Sequence, residues 1–240
     1  RREHLDEVVG AVFDRLANEK PDLVRLGTAF ATAASGGHLR LWSTTADEEQ
    51  TFVRTGFGGG PGAVDADRTF HVAIENRTAT KLDYYVQPSV RQEVRFSGRN
   101  DVVVRTTVTI DNRAPKGAAP SYQLGPDEFS ASPGDYTAWV LLWGPAGAVQ
   151  PASAPEAGLT LTEAIVSVGA GERREAVFDT LIHDAVRNGQ LNLRLVPQPR
   201  LRAMDLTVTL DPRGRQVEGP TTWRGRWAQT HTMRWGVRPG

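Results

Sequence analysis

The sequence predicts a mainly β protein with a helical N-terminal lead-in, the β part being an immunoglobulin-like antiparallel β-sandwich. Three observations carry this: apolar residues at helical spacing near the N-terminus, a glycine-rich break at 56–62, and two-residue alternation from residue 69 onward. A chain of 240 residues has room for one large core, or one core and a satellite. The lead-in is assigned to residues 1–60, read as the tail of an upstream domain, and the sandwich to residues 64–240.

Within the lead-in, Leu5, Val8, Val9, Val12, Phe13 and Leu16 form one stripe at a 3.6-residue period, predicting a helix over 3–19 that Pro21 interrupts. Asp22 is placed to cap a second helix with Leu23, Leu26 and Phe30 on one face, and Gly36-Gly37 stops it. His38–Trp42 reads as a short strand. Thr45-Ala46-Asp47-Glu48 reads as a capping box opening a third helix that ends near Gly56. Five of the seven residues from Gly56 to Gly62 are glycine, which raises the question of a phosphate loop. That motif needs Lys and Ser/Thr directly after its last glycine, then a helix; here Ala63-Val64-Asp65 and a strand follow, so a plain turn is expected.

Strands are predicted at 69–76, 82–96, 101–111, 136–143, 159–168, 173–181, 191–196, 204–211 and 222–236. Val90, Val94 and Phe96 alternate before Ser97-Gly98-Arg99-Asn100, and Val102, Val104, Val108 and Ile110 alternate after it, the pattern of a hairpin. Residues 112–134 and 144–158, rich in Pro, Gly, Ala and Ser, read as long surface loops, and 182–188 as a short helical turn. Many short strands without a helix of crossover length argue for paired antiparallel sheets.

Composition narrows the function classes. Twenty-eight basic and twenty-eight acidic residues cancel, so no global field draws the chain to nucleic acid or to an anionic membrane. Lys occurs only at 20, 81 and 116, leaving 25 of the 28 basic residues as Arg, which with abundant Ala, Gly and Val suits a GC-rich genome. The chain has no Cys, which removes disulfides, thiolate metal sites and thiol catalysis and suits an exported bacterial protein. No run nears the ~18 consecutive apolar residues of a membrane span. The chain opens on Arg1-Arg2-Glu3 without an initiator Met, and the expectation is a segment of a longer protein with any membrane anchor upstream.

No catalytic or metal constellation is expected. The histidines at 4, 38, 71, 183 and 231 fall at no chelating spacing, and no nucleophile-elbow motif occurs. The densest polar cluster is Glu75 to Tyr85. Read as a strand, it places Lys81, Asp83 and Tyr85 on one face and Leu82, Tyr84 and Val86 on the other. An Asp between a Lys and a phenol is either a ligand clamp or acid–base group, or a hydrogen-bonded belt pinning the strand to a loop. Asn76-Arg77-Thr78 matches a glycosylation sequon, taken as chance in a bacterial chain. In the C-terminal strand, Trp223, Trp227, His231, Met233 and Trp235 share one face, and Arg224, Arg226 and Arg234 the other. This is either an aromatic platform for sugar rings with an Arg stripe for a polyanion, or a last sandwich strand with its indoles in the core.

Several of these residues give a resemblance. Gly37-His38-Leu39-Arg40-Leu41-Trp42-Ser43, the acidic helix through Gln50, Gly56-Phe57-Gly58, Asn76 with Lys81-Leu82-Asp83-Tyr84-Tyr85, and Asn112-Arg113-Ala114-Pro115 together resemble the C-terminal half of DUF4012, a bacterial domain family common in actinobacteria. The resemblance covers roughly residues 1–115, and its Lys-x-Asp-Tyr-Tyr piece is the most specific. It implies a protein anchored by an upstream membrane helix and facing the outside of the cell. Its other half carries a motif similar to that of LytR-type envelope phosphotransferases. It implies a location rather than a reaction, and no residue here matches a known catalytic role.

The expected function is therefore a non-catalytic extracytoplasmic module of an envelope protein, without cofactor. It would scaffold, or bind cell-envelope polysaccharide or another envelope protein, and would meet the membrane only through the upstream anchor. The alternatives are an accessory part of an envelope glycopolymer transferase or hydrolase whose active site lies mainly upstream, and a glycan-binding module using the Trp strand. Candidate binding residues are Lys81, Asp83, Tyr85, Trp223, Trp227, Trp235, Arg224 and Arg226.

Overall fold

A computed structural model describes residues 2–19, 22–60 and 65–238. Pro21, the last two residues of the glycine-rich run and Ala63-Val64 lie outside the described residues. Three helices open the chain: α1 (Arg2–Asn18), α2 (Leu23–Ser35) and α3 (Ala46–Arg54). The β part then runs through β1 (Thr69–Asn76), β2 (Val86–Phe96), β3 (Val102–Asn112), β4 (Tyr136–Gly144), β5 (Ala154–Glu156), β6 (Leu159–Val168), β7 (Arg173–Ile182) and β8 (Val186–Arg187). It ends with β9 (Gln190–Val196), β10 (Met204–Asp211), β11 (Gln216–Glu218), β12 (Thr222–Trp227) and β13 (His231–Arg238).

The strands form two sheets. One has the order β11-β13-β9-β1-β4-β6-β5, with β8 beside β9; the other has the order β12-β10-β2-β3-β7. The inner faces of both contribute to one apolar cluster. Phe70, Val72 and Ile74 of β1, Val90 and Val94 of β2, Val104 and Val108 of β3, and Leu191, Leu193 and Leu195 of β9 all belong to it. The protein is thus mainly β, with N-terminal helices and two largely antiparallel sheets. The expectation of uniformly antiparallel pairing needs correcting, because β1 runs parallel to β9 and β2 parallel to β10. A parallel neighbour requires a long connection, and the many strands between each pair supply it.

The predicted hairpin is present: Phe96 faces Val102, and the Ser97 amide donates to the Asp101 carbonyl. Two inward positions in it are polar. Gln92 faces Thr106, both fully buried, and the Gln92 amide donates weakly to the Thr106 hydroxyl at 3.4 Å. The Gln92 Oε1 acceptor has no partner among the described residues.

Other expectations change. The 82–96 strand begins instead with a turn of 3₁₀ helix, Leu82–Tyr84, and β2 starts at Val86. The 182–188 segment is not helical: β8 pairs with β9 across Asn188-Gly189, both at positive φ (52° and 69°), the turn that an Asn-Gly pair favours. His38–Trp42 forms no strand; the His38 and Leu39 amides donate to the Ala33 carbonyl at the end of α2, and the Leu41 amide to the Phe57 carbonyl. Thr45 precedes α3 without a side-chain cap; the carboxylates of the first turn instead reach back to Ser43, Glu49 accepting from its amide and Glu48 from its hydroxyl. Asp22 does cap α2, accepting from the amides of Val24 and Arg25. The 222–236 strand splits at 228–230 into β12, which pairs with β10 in one sheet, and β13, which pairs with β9 in the other. Among the described residues no helix is long and apolar enough to cross a membrane.

Candidate functional site

Where β9 ends at Val196, β1 continues, and its Ile74 backbone would be left unpaired. The Gln198 side chain substitutes for the missing strand: the Ile74 amide donates to Gln198 Oε1 at 3.0 Å, and Gln198 Nε2 donates to the Ile74 carbonyl at 3.2 Å. A primary amide carries one acceptor and two donors, so it can replace a backbone unit in this way. Arg200 extends the brace. Its side chain is only 11% exposed, and its guanidinium donates to the Ile74 carbonyl, to Gln198 Oε1 and, at 3.4 Å, to Asp83. Asp83 also accepts from the hydroxyl of the buried Tyr136 on β4 at 3.1 Å. Burial, with the negative charge of Asp83, raises the Tyr136 phenol well above its ordinary range, so it stays a proton donor.

On this braced floor stands an open cleft of about 690 Å³, whose lining includes Glu75, Asn76, Lys81, Tyr84 and Arg202. Tyr84 is 60% exposed and Leu201 91% exposed. The Arg202 guanidinium lies 5.0 Å from the Tyr84 ring centre, and Lys81 reaches within 5.8 Å of the Tyr122 ring. Asn76 is occupied locally, its Oδ1 accepting from the amide and hydroxyl of Thr78.

The predicted face of Lys81, Asp83 and Tyr85 is not formed, because a 3₁₀ turn separates these side chains differently from a strand. Asp83 points to Tyr136 and Arg200, Lys81 to Tyr122, and Tyr85 packs partly against the core. For Asp83 the belt reading describes the geometry. Tyr84, assigned to the opposite face, lines the cleft together with Lys81 and Asp83.

The C-terminal aromatics are also redistributed. Trp227 and Trp235 are fully buried, their indole N–H groups donating to the carbonyls of Leu195 and Pro220. A buried indole cannot stack on a ligand, so the platform reading fails for both. Trp223 is half-buried and stacks on His231 at 4.2 Å between ring centres. Arg224 and Arg226 are exposed on β12, where Arg226 pairs with Asp205 across to β10 at 3.0 Å. Arg234 sits on β13 in the other sheet, so the basic stripe is divided.

Sequence reasoning missed Gln198, Arg200, Leu201 and Arg202. They lie in a short irregular stretch between two predicted strands, and the signal they offered was an Arg-Leu-Arg run after Pro199 with no apolar periodicity. Among the described residues no group of three or more His, Asp or Glu side chains is arranged to hold a metal ion. No family model matches the chain, and no curated protein matches it.

Proposed function

We propose that the chain is a non-catalytic extracytoplasmic module of a membrane-anchored envelope protein, an immunoglobulin-like sandwich that binds cell-envelope polysaccharide through the Tyr84 cleft. The observation that supports this most is the contrast within that cleft. Its floor is pinned by Gln198, Arg200, Asp83 and Tyr136, whereas Tyr84, Leu201, Arg202 and Lys81 stand open to solvent. Side chains held in place at their base and exposed at their tips lose little entropy on binding, and aromatic and Arg groups are those that contribute most at recognition surfaces. The resemblance to DUF4012 supplies the envelope location. The exposed apolar stripe of α1 accords with a lead-in that seats on an upstream domain.

The test is binding of soluble cell-wall polysaccharide to the full chain, followed by tryptophan-independent calorimetry. Tyr84→Ala and Arg202→Ala should each weaken binding about tenfold, roughly 1.4 kcal/mol, while Arg224→Ala leaves it unchanged. Equal binding by all variants would remove the cleft from consideration. Turnover of a lipid-linked glycan by the chain would favour the reading as an accessory part of a glycopolymer transferase or hydrolase. That second reading has one observation of its own, a pocket of mixed polar and apolar lining walled partly by residues 53–60 of the lead-in.

A further inference from the structure

The charged groups around the Tyr84 cleft fall into a floor and a rim that differ in how they are satisfied. On the floor, Arg200 donates to the Ile74 carbonyl, to Gln198 Oε1 and to Asp83, and Asp83 also accepts from the Tyr136 hydroxyl. That pair balances itself. On the rim, Lys81 and Arg202 are exposed, and among the described residues neither side chain makes an ion pair or a hydrogen bond. Each is held by an aromatic ring, Arg202 at 5.0 Å from the centre of Tyr84 and Lys81 at 5.8 Å from that of Tyr122. A ring attracts a cation through its quadrupole but has no net charge, so it positions the cation without neutralising it.

One carboxylate shares the lining with these two cations. Glu75 is exposed on β1, in register with Trp139 of β4, and makes no ion pair among the described residues. With Arg200 and Asp83 cancelling on the floor, Lys81 and Arg202 against Glu75 leave a surplus of one positive charge. The hydrogen-bonding groups point the same way. Side chains that could serve sugar hydroxyls as both donor and acceptor are already committed. Gln198 is engaged at Ile74, and Asn76 accepts from Thr78 and donates to the Thr80 carbonyl at 3.4 Å. An ammonium and a guanidinium only donate, so the open part of the rim is suited to a ligand rich in acceptors and negatively charged. Beside them, Tyr84 at 60% and Leu201 at 91% exposure offer an apolar surface to the body of a sugar ring.

We propose that the saccharide taken by this cleft is acidic, its ring packing on Tyr84 and Leu201 and its singly charged group, a uronate carboxylate or a phosphodiester, binding Lys81 and Arg202. This rests on the cleft reading above and adds the charge of the ligand to it. The full chain is titrated calorimetrically with three oligomers of equal length: neutral glucose, glucuronate, and a phosphodiester-linked sugar. An acidic oligomer should bind about tenfold more tightly than the neutral one. That preference should fade as ionic strength rises from ~0.01 M to ~1 M, where the Debye length shrinks from about 30 Å to about 3 Å. Tighter binding of glucuronate assigns the carboxylate, and tighter binding of the third oligomer assigns the phosphodiester. Lys81→Gln and Arg202→Gln should each weaken the acidic oligomer severalfold and leave the neutral one nearly unchanged, whereas Lys81→Arg, which keeps the charge, retains most of the affinity. Tyr84→Ala should weaken acidic and neutral oligomers alike, and Arg224→Gln, on the other sheet, should bind as the parent does. Circular dichroism confirms that each variant folds. Equal affinity for neutral and acidic oligomers, or an acidic preference that persists when Lys81 and Arg202 are both replaced by Gln, overturns this proposal and leaves the cleft reading standing. Absence of heat with all three oligomers overturns both.

Discussion

The helix α1 and the strand β13 are both amphipathic by sequence, yet their apolar faces meet opposite fates. Along α1, Leu5, Val8, Val9, Val12, Phe13 and Leu16 form an unbroken stripe and all are exposed, Phe13 at 67%. Along β13, Met233, Trp235 and Val237 alternate with polar residues and all are buried, Trp235 at 0%. Periodicity therefore dictates which element forms and which residues share a face. Whether that face is covered depends on what else the chain brings to it. The strand has a second sheet opposite; the described residues bring nothing of the kind to α1.

The largest expected effect lies on the strand side. Trp235→Ala removes a buried indole and its hydrogen bond to the Pro220 carbonyl, and should cost about 3–5 kcal/mol in a urea unfolding curve. A loss below about 1 kcal/mol would mean the core yields far more easily than its packing implies.

An intermediate effect of opposite sign is expected at Gln92. Its Oε1 is buried without an acceptor bond satisfied, while its amide bond to Thr106 is long at 3.4 Å. Gln92→Met keeps the volume and removes the orphaned acceptor, so the same curve should show a gain of about 1 kcal/mol. A loss of that size would show that the Thr106 contact outweighs the desolvated oxygen.

The smallest effect belongs to α1. Phe13→Ala should change stability by no more than about 0.5 kcal/mol, because so little of the ring leaves water on folding. A cost approaching that of Trp235 would show the stripe to be covered in solution, and would erase the contrast between the two regions.

Much of the fold could be read along the chain. The ranges of β1, β6 and β10 follow the alternation as predicted, and Asp22 and Gly36-Gly37 bound α2. Errors came where local pattern is ambiguous. The apolar face resumes at Met233 and Trp235 after Trp227, and the one interruption, Ala228-Gln229, is too short to show that the strand leaves one sheet for the other there. Asn188-Gly189 was a turn signal available in the sequence, but its flanking strand of two residues is too short to show a period. The cleft was half legible. The Lys81–Tyr85 cluster stands out in the sequence, but Arg200 and Arg202 are joined to it only by tertiary contacts.

By itself, the sequence determined the helical opening, the change to two-residue rhythm, most strand positions and the inward set of valines. Each follows from backbone geometry acting over a few residues. The tertiary structure alone decided that Trp227 and Trp235 enter one core from different sheets, that Gln198 completes the edge of β1, and that Lys81 and Arg202 line one cleft. Those pairings join residues far apart in the chain, and no local periodicity records which distant segment satisfies a given backbone group or charge.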